Sequence, residues 1–223
     1  MKAGDETPNY YPISLNISGK KCVVVGGGQV ALRKVKTLIE HGATVRVISS
    51  DLCSELTQLK GKGKISVLTR EYQTGDLQDA VIAIAATSDN DTNSEVAREA
   101  QGKAILVNVV DDADSSDFIA PSYLRRGPVT ITISTAGRSP ALARHIRARL
   151  EKEFGDEYAS LALLLNEVRT EVKRQGIKIN ADAWQEVLDL DSLGSLLKRG
   201  EREEAMAILL SNLEKSNRED GLA

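Results

Sequence analysis

The stretch KCVVVGGGQVALRKVKTLIEHGATVRVIS, Lys21 to Ser49, constrains this chain more than any other. A short β-branched run, Cys22 to Val25, leads into a G-x-G-x-x-A turn whose small positions are Gly26, Gly28 and Ala31. Val30, Val35, Leu38 and Ile39 then recur at helical spacing, Gly42 stops the helix, and Thr44 to Ile48 read as a second strand. Strand, glycine turn, helix and strand in this order make the βαβ unit that binds dinucleotides. The small residues serve three separate physical ends. Gly26 allows the tight turn, Gly28 a close backbone approach to a pyrophosphate, and Ala31 a tight seat of helix on strand. The helix N-terminus offers an anion its unpaired N–H groups and a partial positive charge. A glycine turn of this type also occurs in doubly wound folds that bind nothing there, or another anion, and the turn alone leaves that open.

One part of the pattern is absent. An acidic residue at the end of the second strand ordinarily holds the adenosine ribose hydroxyls, whereas this strand ends Ile48-Ser49-Ser50-Asp51. Asp51 takes that role, or Ser49 and Ser50 bond the ribose more weakly. NAD is expected over NADP, because the one nearby arginine, Arg46, lies inside the strand.

Further along, Lys64 to Thr69 reads as a third strand and Ala80 to Ala85, apolar on both faces, as a buried fourth. Asp91 to Gln101 makes a helix ended by Gly102, and Ile105 to Val110 a fifth strand. These residues predict an α/β fold with a doubly wound parallel (Rossmann) sheet, its ligand outside the strand carboxyl ends. Emerging there are Gly26 to Val30, Ser49 to Asp51, Ala86 to Ser88 and Asn108 to Asp112. Gln29, Val30, Thr87 and Asn108 therefore join Gly26, Gly28, Ser49, Ser50 and Asp51 as expected cofactor contacts.

From Asp114 the pattern changes. Phe118 to Pro121 enters an extended segment, and Val129 to Thr135 alternates with period two, as a strand with one wet face does. Ser139 and Pro140 suit the N-cap and first position of a helix. Leu142, Ile146 and Leu150 line one side of that helix, with Arg144 and Arg147 nearly opposite. Helical stretches follow at Glu157 to Gln175, Ala181 to Leu188 and Glu201 to Lys215, before a frayed end. The expected division is 1–112 for the Rossmann domain, 113–150 for a small α+β region and 151–223 for a helical domain.

Composition excludes several classes. A hydrophobic fraction of 41% and a charged fraction of 27% describe an ordinary soluble protein. No apolar run spans a bilayer and the N-terminus lacks a signal core, so a cytoplasmic location and no membrane partner are expected. Cys22 and Cys53 have no metal-ligand spacing, and with His41 and His145 as the only histidines no His-rich metal cage is expected. The net charge of -3 argues against nucleic acid.

That average hides an asymmetry. Between Phe118 and Leu150 stand six arginines and no acid: Arg125, Arg126, Arg138, Arg144, Arg147 and Arg149. The plain reading is a solvated helix face with a basic turn. Against it, the loop Ser134-Thr135-Ala136-Gly137-Arg138-Ser139 puts hydroxyls, backbone donors and a guanidinium at a helix N-terminus, which suits an anion. Arg125, Arg126, Ser134, Thr135, Arg138, Ser139 and Arg144 are the expected contacts to a small polycarboxylate. Opposite in charge is Asp111, at the end of the fifth strand, a candidate general base or ligand to a ring N–H or metal. The bland alternative is that Asp111 or Asp112 only caps a turn.

The segments VVVGGGQVALRK, IAATSD, NVVD, FIAP and ISTAGRSPALARHIR occur in the order found in precorrin-2 dehydrogenases, and over about 150 residues the chain resembles that family. The resemblance implies NAD-dependent oxidation of precorrin-2, a reduced tetrapyrrole bearing eight carboxylates, to sirohydrochlorin for siroheme or cobalamin. In some members the same site also inserts iron. Carried over by position, Asp111 matches the aspartate the family needs for dehydrogenation, Gln29 and Val30 the turn contacts to NAD, and Ser50 and Asp51 the adenosine side. Thr135 stands where siroheme synthase has a phosphorylatable serine, and Ala136 replaces a glycine. The resemblance further implies a homodimer built by region 113–150. It finds no methyltransferase module in the chain. A non-catalytic NAD-sensing Rossmann module is the alternative, and it leaves the arginines without a role.

Overall fold

A computed structural model of the chain describes residues 10–176, 184–185 and 187–220. It divides into two compact units, Met1–Ala120 and Pro121–Ala223.

In the first unit, strands β1 (Lys21–Val25), β2 (Thr44–Ile48), β3 (Ser66–Leu68), β4 (Ile82–Ala85) and β5 (Leu106–Val109) form one parallel sheet in the order β3-β2-β1-β4-β5. The chain winds outward from β1 in one direction and then returns to build the other, so a crevice opens between β1 and β4 at their carboxyl ends. Strand alternation sorts the core into two layers. Cys22, Val24, Ile82 and Ile84 pack with α1 (Gln29–Glu40) and Leu56 of α2 (Ser54–Gly61). Val23, Val25, Ala83 and Ala85 pack with Val96, Ala97 and Ala100 of α3 (Asn90–Gly102). Ala31 is fully buried against the sheet, and all four residues of β4 are buried, as a strand apolar on both faces requires. Helix α2 carries only one buried residue, so no apolar stripe announces it in the sequence.

Edge strand β5 does not expose its free side. The chain folds back along it: Val107 N–H donates to Asp117 Oδ2 at 2.9 Å, Val109 N–H to Ser116 Oγ at 2.9 Å, and Asp117 N–H to the Val107 carbonyl at 2.9 Å. Side chains here replace the missing sixth strand. The return segment explains why the first unit runs on to Ala120.

The second unit opens on an antiparallel hairpin, β6 (Ser122–Arg126) and β7 (Val129–Ile133). Alternate residues of β7 are exposed, matching its period-two pattern. Four helices follow among the described residues: α4 (Pro140–Glu153), α5 (Glu157–Arg174), α6 (Leu190–Lys198) and α7 (Arg202–Asp220). Ser139 Oγ accepts from Leu142 N–H at 3.2 Å with Pro140 in the first turn, the cap its sequence predicts. Leu164, Leu193, Leu209 and Leu213 are almost wholly buried where α5, α6 and α7 meet; each contributes roughly 1.5–3 kcal/mol by leaving water. Helix α6 was not expected, and α7 continues to Asp220, past the point where fraying was expected. The expected helix at Ala181 to Leu188 falls largely outside the described residues. Among the described residues no helix is long and apolar enough to cross a membrane.

Candidate active site

The crevice between β1 and β4 holds a cleft of about 790 Å³ in the first unit. Its floor is the glycine turn. Gly26 has φ +121°, and a Cβ there would overlap the Ala86 carbonyl, so the β1 loop lies directly on the β4 loop. Gly28, the N-cap of α1, has open space where a side chain would stand. That is the vacancy a close-lying pyrophosphate needs, at a helix N-terminus that no side chain caps.

Gly27 is the glycine the G-x-G-x-x-A pattern passes over. A Cβ on it would overlap the Asp51 carbonyl oxygen and stand 2.7 Å from Ser49 Oγ, and its own carbonyl accepts from Cys53 N–H at 2.8 Å. The loops after β1 and β2 are thus joined backbone to backbone. The GGG triplet was the available signal; the pattern spends its middle position on any residue.

Seven of the nine expected cofactor contacts line this cleft: Gly26, Gly28, Gln29, Ser49, Ser50, Asp51 and Thr87. They are not equally free. Ser49 Oγ donates to the Asp51 carbonyl at 2.7 Å, which holds the β2 loop, whereas Ser50 and Asp51 are exposed to the cleft. Thr87 Oγ1 donates to Asn93 Oδ1 at 2.8 Å, tying the β4 loop to α3, and Asp89 caps that helix through Asp91 and Thr92 N–H groups. Gln29 Nε2 reaches Glu55 Oε2 at 3.5 Å, across to α2. Val30 lies outside the lining.

Asn108 is also outside the lining. It lies 7% exposed on the α1 side of β5, accepting from Lys34 Nζ at 3.1 Å and donating to the Phe118 carbonyl at 3.1 Å.

The far wall of the cleft includes Tyr72, which the sequence did not suggest. Its hydroxyl donates to Glu99 of α3, and the same carboxylate accepts from Gly75 N–H at 2.8 Å, Leu77 N–H at 3.3 Å and Lys103 Nζ at 2.8 Å. Burial raises the proton affinity of Glu99, but its donors outweigh burial and hold it below the ordinary glutamate value. Burial, then the adjacent Glu99, push the Tyr72 phenol well above its ordinary range, so it stays a neutral donor. Beside it, Arg70 grips Asp76 with two bonds of 2.7 and 2.6 Å.

Beyond β5 the chain makes a turn in which neighbouring aspartates do different work. Asp112 Oδ1 accepts from Asp114 and Ser115 N–H groups, both at 3.1 Å, and is the capping residue. Asp111 sits in the left-handed region at φ +63°, exposed, with no side-chain hydrogen bond among the described residues. β5 neighbours β4, whose loop lines the cleft, so this free carboxylate stands one strand from the cleft mouth.

In the second unit the arginines divide. Arg126 donates to the Phe154 carbonyl at 2.9 Å and the Glu151 carbonyl at 3.4 Å, closing the end of α4, with Asp156 Oδ1 at 3.5 Å. Arg147 pairs with Glu151, the first acid past the acid-free stretch. Arg125 Nε donates to the Gly127 carbonyl at 3.0 Å within the hairpin turn. Arg138 and Arg144 are exposed, on the loop before α4 and on α4 itself. In that loop Thr135 Oγ1 accepts from Ser139 N–H at 3.0 Å and Ser134 Oγ from Ala136 N–H at 3.1 Å, so both hydroxyls shape the turn. Ala136 has φ +51° there, a conformation that favours glycine.

Comparison with known proteins agrees in both units. Residues 13–122 match a family described as putative NAD(P)-binding, and residues 126–153 one described as sirohaem biosynthesis protein, central. The chain is 39% identical over 207 residues to siroheme synthase of Nitrosococcus oceani, covering 92% of this chain and 44% of that protein. Siroheme synthase of Photorhabdus laumondii is 35% identical over 217 residues, 96% of this chain and 46% of the relative. The chain therefore spans less than half the length of these relatives. Among solved structures, SirC, a precorrin-2 dehydrogenase, superposes with a TM-score of 0.67 at 25% identity, covering 92% of this chain and all of SirC. A putative NAD(P)-binding family in the first unit, a sirohaem-biosynthesis segment in the second and these matches across nine-tenths of the sequence make the chain similar to the siroheme synthases and to the precorrin-2 dehydrogenase SirC.

Proposed function

We propose that the chain oxidises precorrin-2 to sirohydrochlorin with NAD as acceptor, supplying siroheme or cobalamin synthesis in the cytoplasm. The observation that carries this reading is the free Asp111 carboxylate one strand from a dinucleotide-sized cleft, in a chain that aligns with the whole of SirC. The residues present fit the cofactor: open space over Gly28 and the bare α1 N-terminus suit a pyrophosphate, and Asp51 with Ser50 suits ribose hydroxyls. Asp51 is also the reason to favour NAD, since its charge opposes a 2′-phosphate. When bound, the nicotinamide supplies a two-electron acceptor for hydride.

The substrate loses two hydrogens, one as hydride and one as a proton. Asp111 receives the proton, and because no donor among the described residues occupies it, no bond is broken beforehand. Arg138 and Arg144, with Arg125 and the Ser134 and Ser139 loop, bind substrate carboxylates; Arg126 and Thr135 act by holding their scaffold. The half-buried Ile131 and Ile133 of β7 and the 51% exposed Leu142 of α4 support a homodimer built by the second unit; sedimentation would report its mass.

The test is an anaerobic assay of the purified protein with precorrin-2 and NAD, following NADH and sirohydrochlorin absorbance, then adding cobalt or iron to read metal insertion. Wild-type protein should form NADH and Asp111→Ala should form little or none. Tight NAD binding without NADH formation would instead favour the sensing module.

A further inference from the structure

Lys34 lies on α1 about one and a half turns beyond Gln29, and its side chain is half-buried against β5. Its Nζ donates to Asn108 Oδ1 at 3.1 Å. Asn108 Nδ2 in turn donates to the Phe118 carbonyl at 3.1 Å, which decides that the oxygen end of this amide faces the lysine. An ammonium has three donors, and only this one has a partner among the described residues. Burial lowers the proton affinity of Lys34 below the ordinary lysine value, and neighbouring Arg33 lowers it further. Asp111 works in the other direction, acting through space without forming an ion pair. The cation is therefore anchored, partly desolvated and short of negative charge, and it shares its corner of the sheet with the proposed base.

A plain strap between α1 and β5 would not call for a lysine. One neutral donor would satisfy Asn108, without the cost of taking a charge partly out of water beside Arg33. The unfilled donors are what an incoming carboxylate would complete.

We propose that Lys34 is a substrate-positioning residue whose spare N–H groups grip a carboxylate of the tetrapyrrole and hold the macrocycle beside Asp111. This rests on the functional reading above. It places a substrate contact on the same element that begins at the cofactor cleft, all within the first unit.

The experiment compares wild type with Lys34→Gln, which keeps a donor but loses the charge, and Lys34→Arg, which keeps the charge. Sirohydrochlorin binding is read by its fluorescence, NADH binding by a separate titration, and turnover as KM and kcat for precorrin-2. Lys34→Gln should weaken sirohydrochlorin binding and raise KM by roughly tenfold or more, with NADH affinity and Tm preserved, and Lys34→Arg should recover much of the loss. Tetrapyrrole binding at wild-type strength in Lys34→Gln overturns the proposal. So does a parallel fall in Tm, NADH affinity and tetrapyrrole affinity, which marks a strap. If wild type itself neither binds nor oxidises the tetrapyrrole, the functional reading fails and takes this inference with it; normal wild-type turnover beside an unaffected Lys34→Gln removes this inference alone.

Discussion

The two units treat their polar side chains in opposite ways. Around the cleft of the first, backbone contacts and buried pairs such as Tyr72 with Glu99 build the walls, which leaves Ser50 and Asp51, linked to each other at 3.4 Å, and Asp111 facing outward. In the second, much of the positive charge that looks available in the sequence is already spent on the fold, Arg126 on carbonyls at the end of α4 and Arg147 on Glu151. An acid-free stretch is not a stretch of free cations. Helix-end carbonyls carry a partial negative charge that no count of Asp and Glu registers.

The sharpest way to break this contrast lies in the glycine triplet. Gly27→Ala should cost roughly 3 kcal/mol or more, because its new methyl meets backbone that cannot rotate away. Gly28→Ala should melt near the wild-type temperature yet lose NADH affinity by at least about tenfold, since the methyl takes up ligand space. Equal thermal shifts in the two variants would show that the loop is not built as described.

Acid should act next. A carboxyl held below its ordinary value in the folded chain contributes stability that is whole above the unfolded value and drains away as pH falls through the folded one. Glu99, despite its burial, and Asp76, chiefly through Arg70, both behave this way and both brace the Tyr72 wall. Urea titrations between about pH 6 and about pH 3 should therefore show stability and NADH affinity declining together. Glu99→Gln should cost about 1–3 kcal/mol at neutral pH and flatten that dependence. Retention of full NADH affinity by this variant would separate the wall from the cleft.

Smaller effects sharpen the division among the arginines. Arg126→Ala should lose about 1–2 kcal/mol in urea unfolding through the uncovered carbonyls. Arg144→Ala should stay within about 0.5 kcal/mol of wild type while weakening sirohydrochlorin binding. Reversed results would return Arg126 to the ligand. Smallest of all, Ala136→Gly should stabilise by about 0.5–1 kcal/mol, read as a small rise in Tm, because the left-handed backbone there already carries the strain.

Much of this architecture was legible because its signals are local. β1, α1, β2, β4, α3 and β5 all announce themselves by period and by punctuation, and the cap at Ser139 by residue type. What stayed hidden depends on partners distant in the chain. Helix α2 has too thin an apolar stripe to register, and β6 is visible only once β7 pairs with it. Tyr72 reaches the cleft through Glu99, which lies 27 residues away. Asn108 was expected in the cleft because it lies near the end of a strand; its neighbour across the layer, Lys34, gives it a different setting. Choosing between Asp111 and Asp112 likewise needed the turn geometry, since both residues carry the same chemistry.

The weld between the first two loops has a consequence for how cofactor preference can change. With Gly27 pressed on the Asp51 carbonyl and bonded to Cys53, the backbone from Ser49 to Cys53 has one permitted path. Insertions or deletions there would tear the cleft floor, whereas the side chains of Ser50 and Asp51 hang from that path into open space. A lineage, or an engineer, seeking to change which nicotinamide dinucleotide is preferred is thus confined to rewriting letters on a line of fixed length.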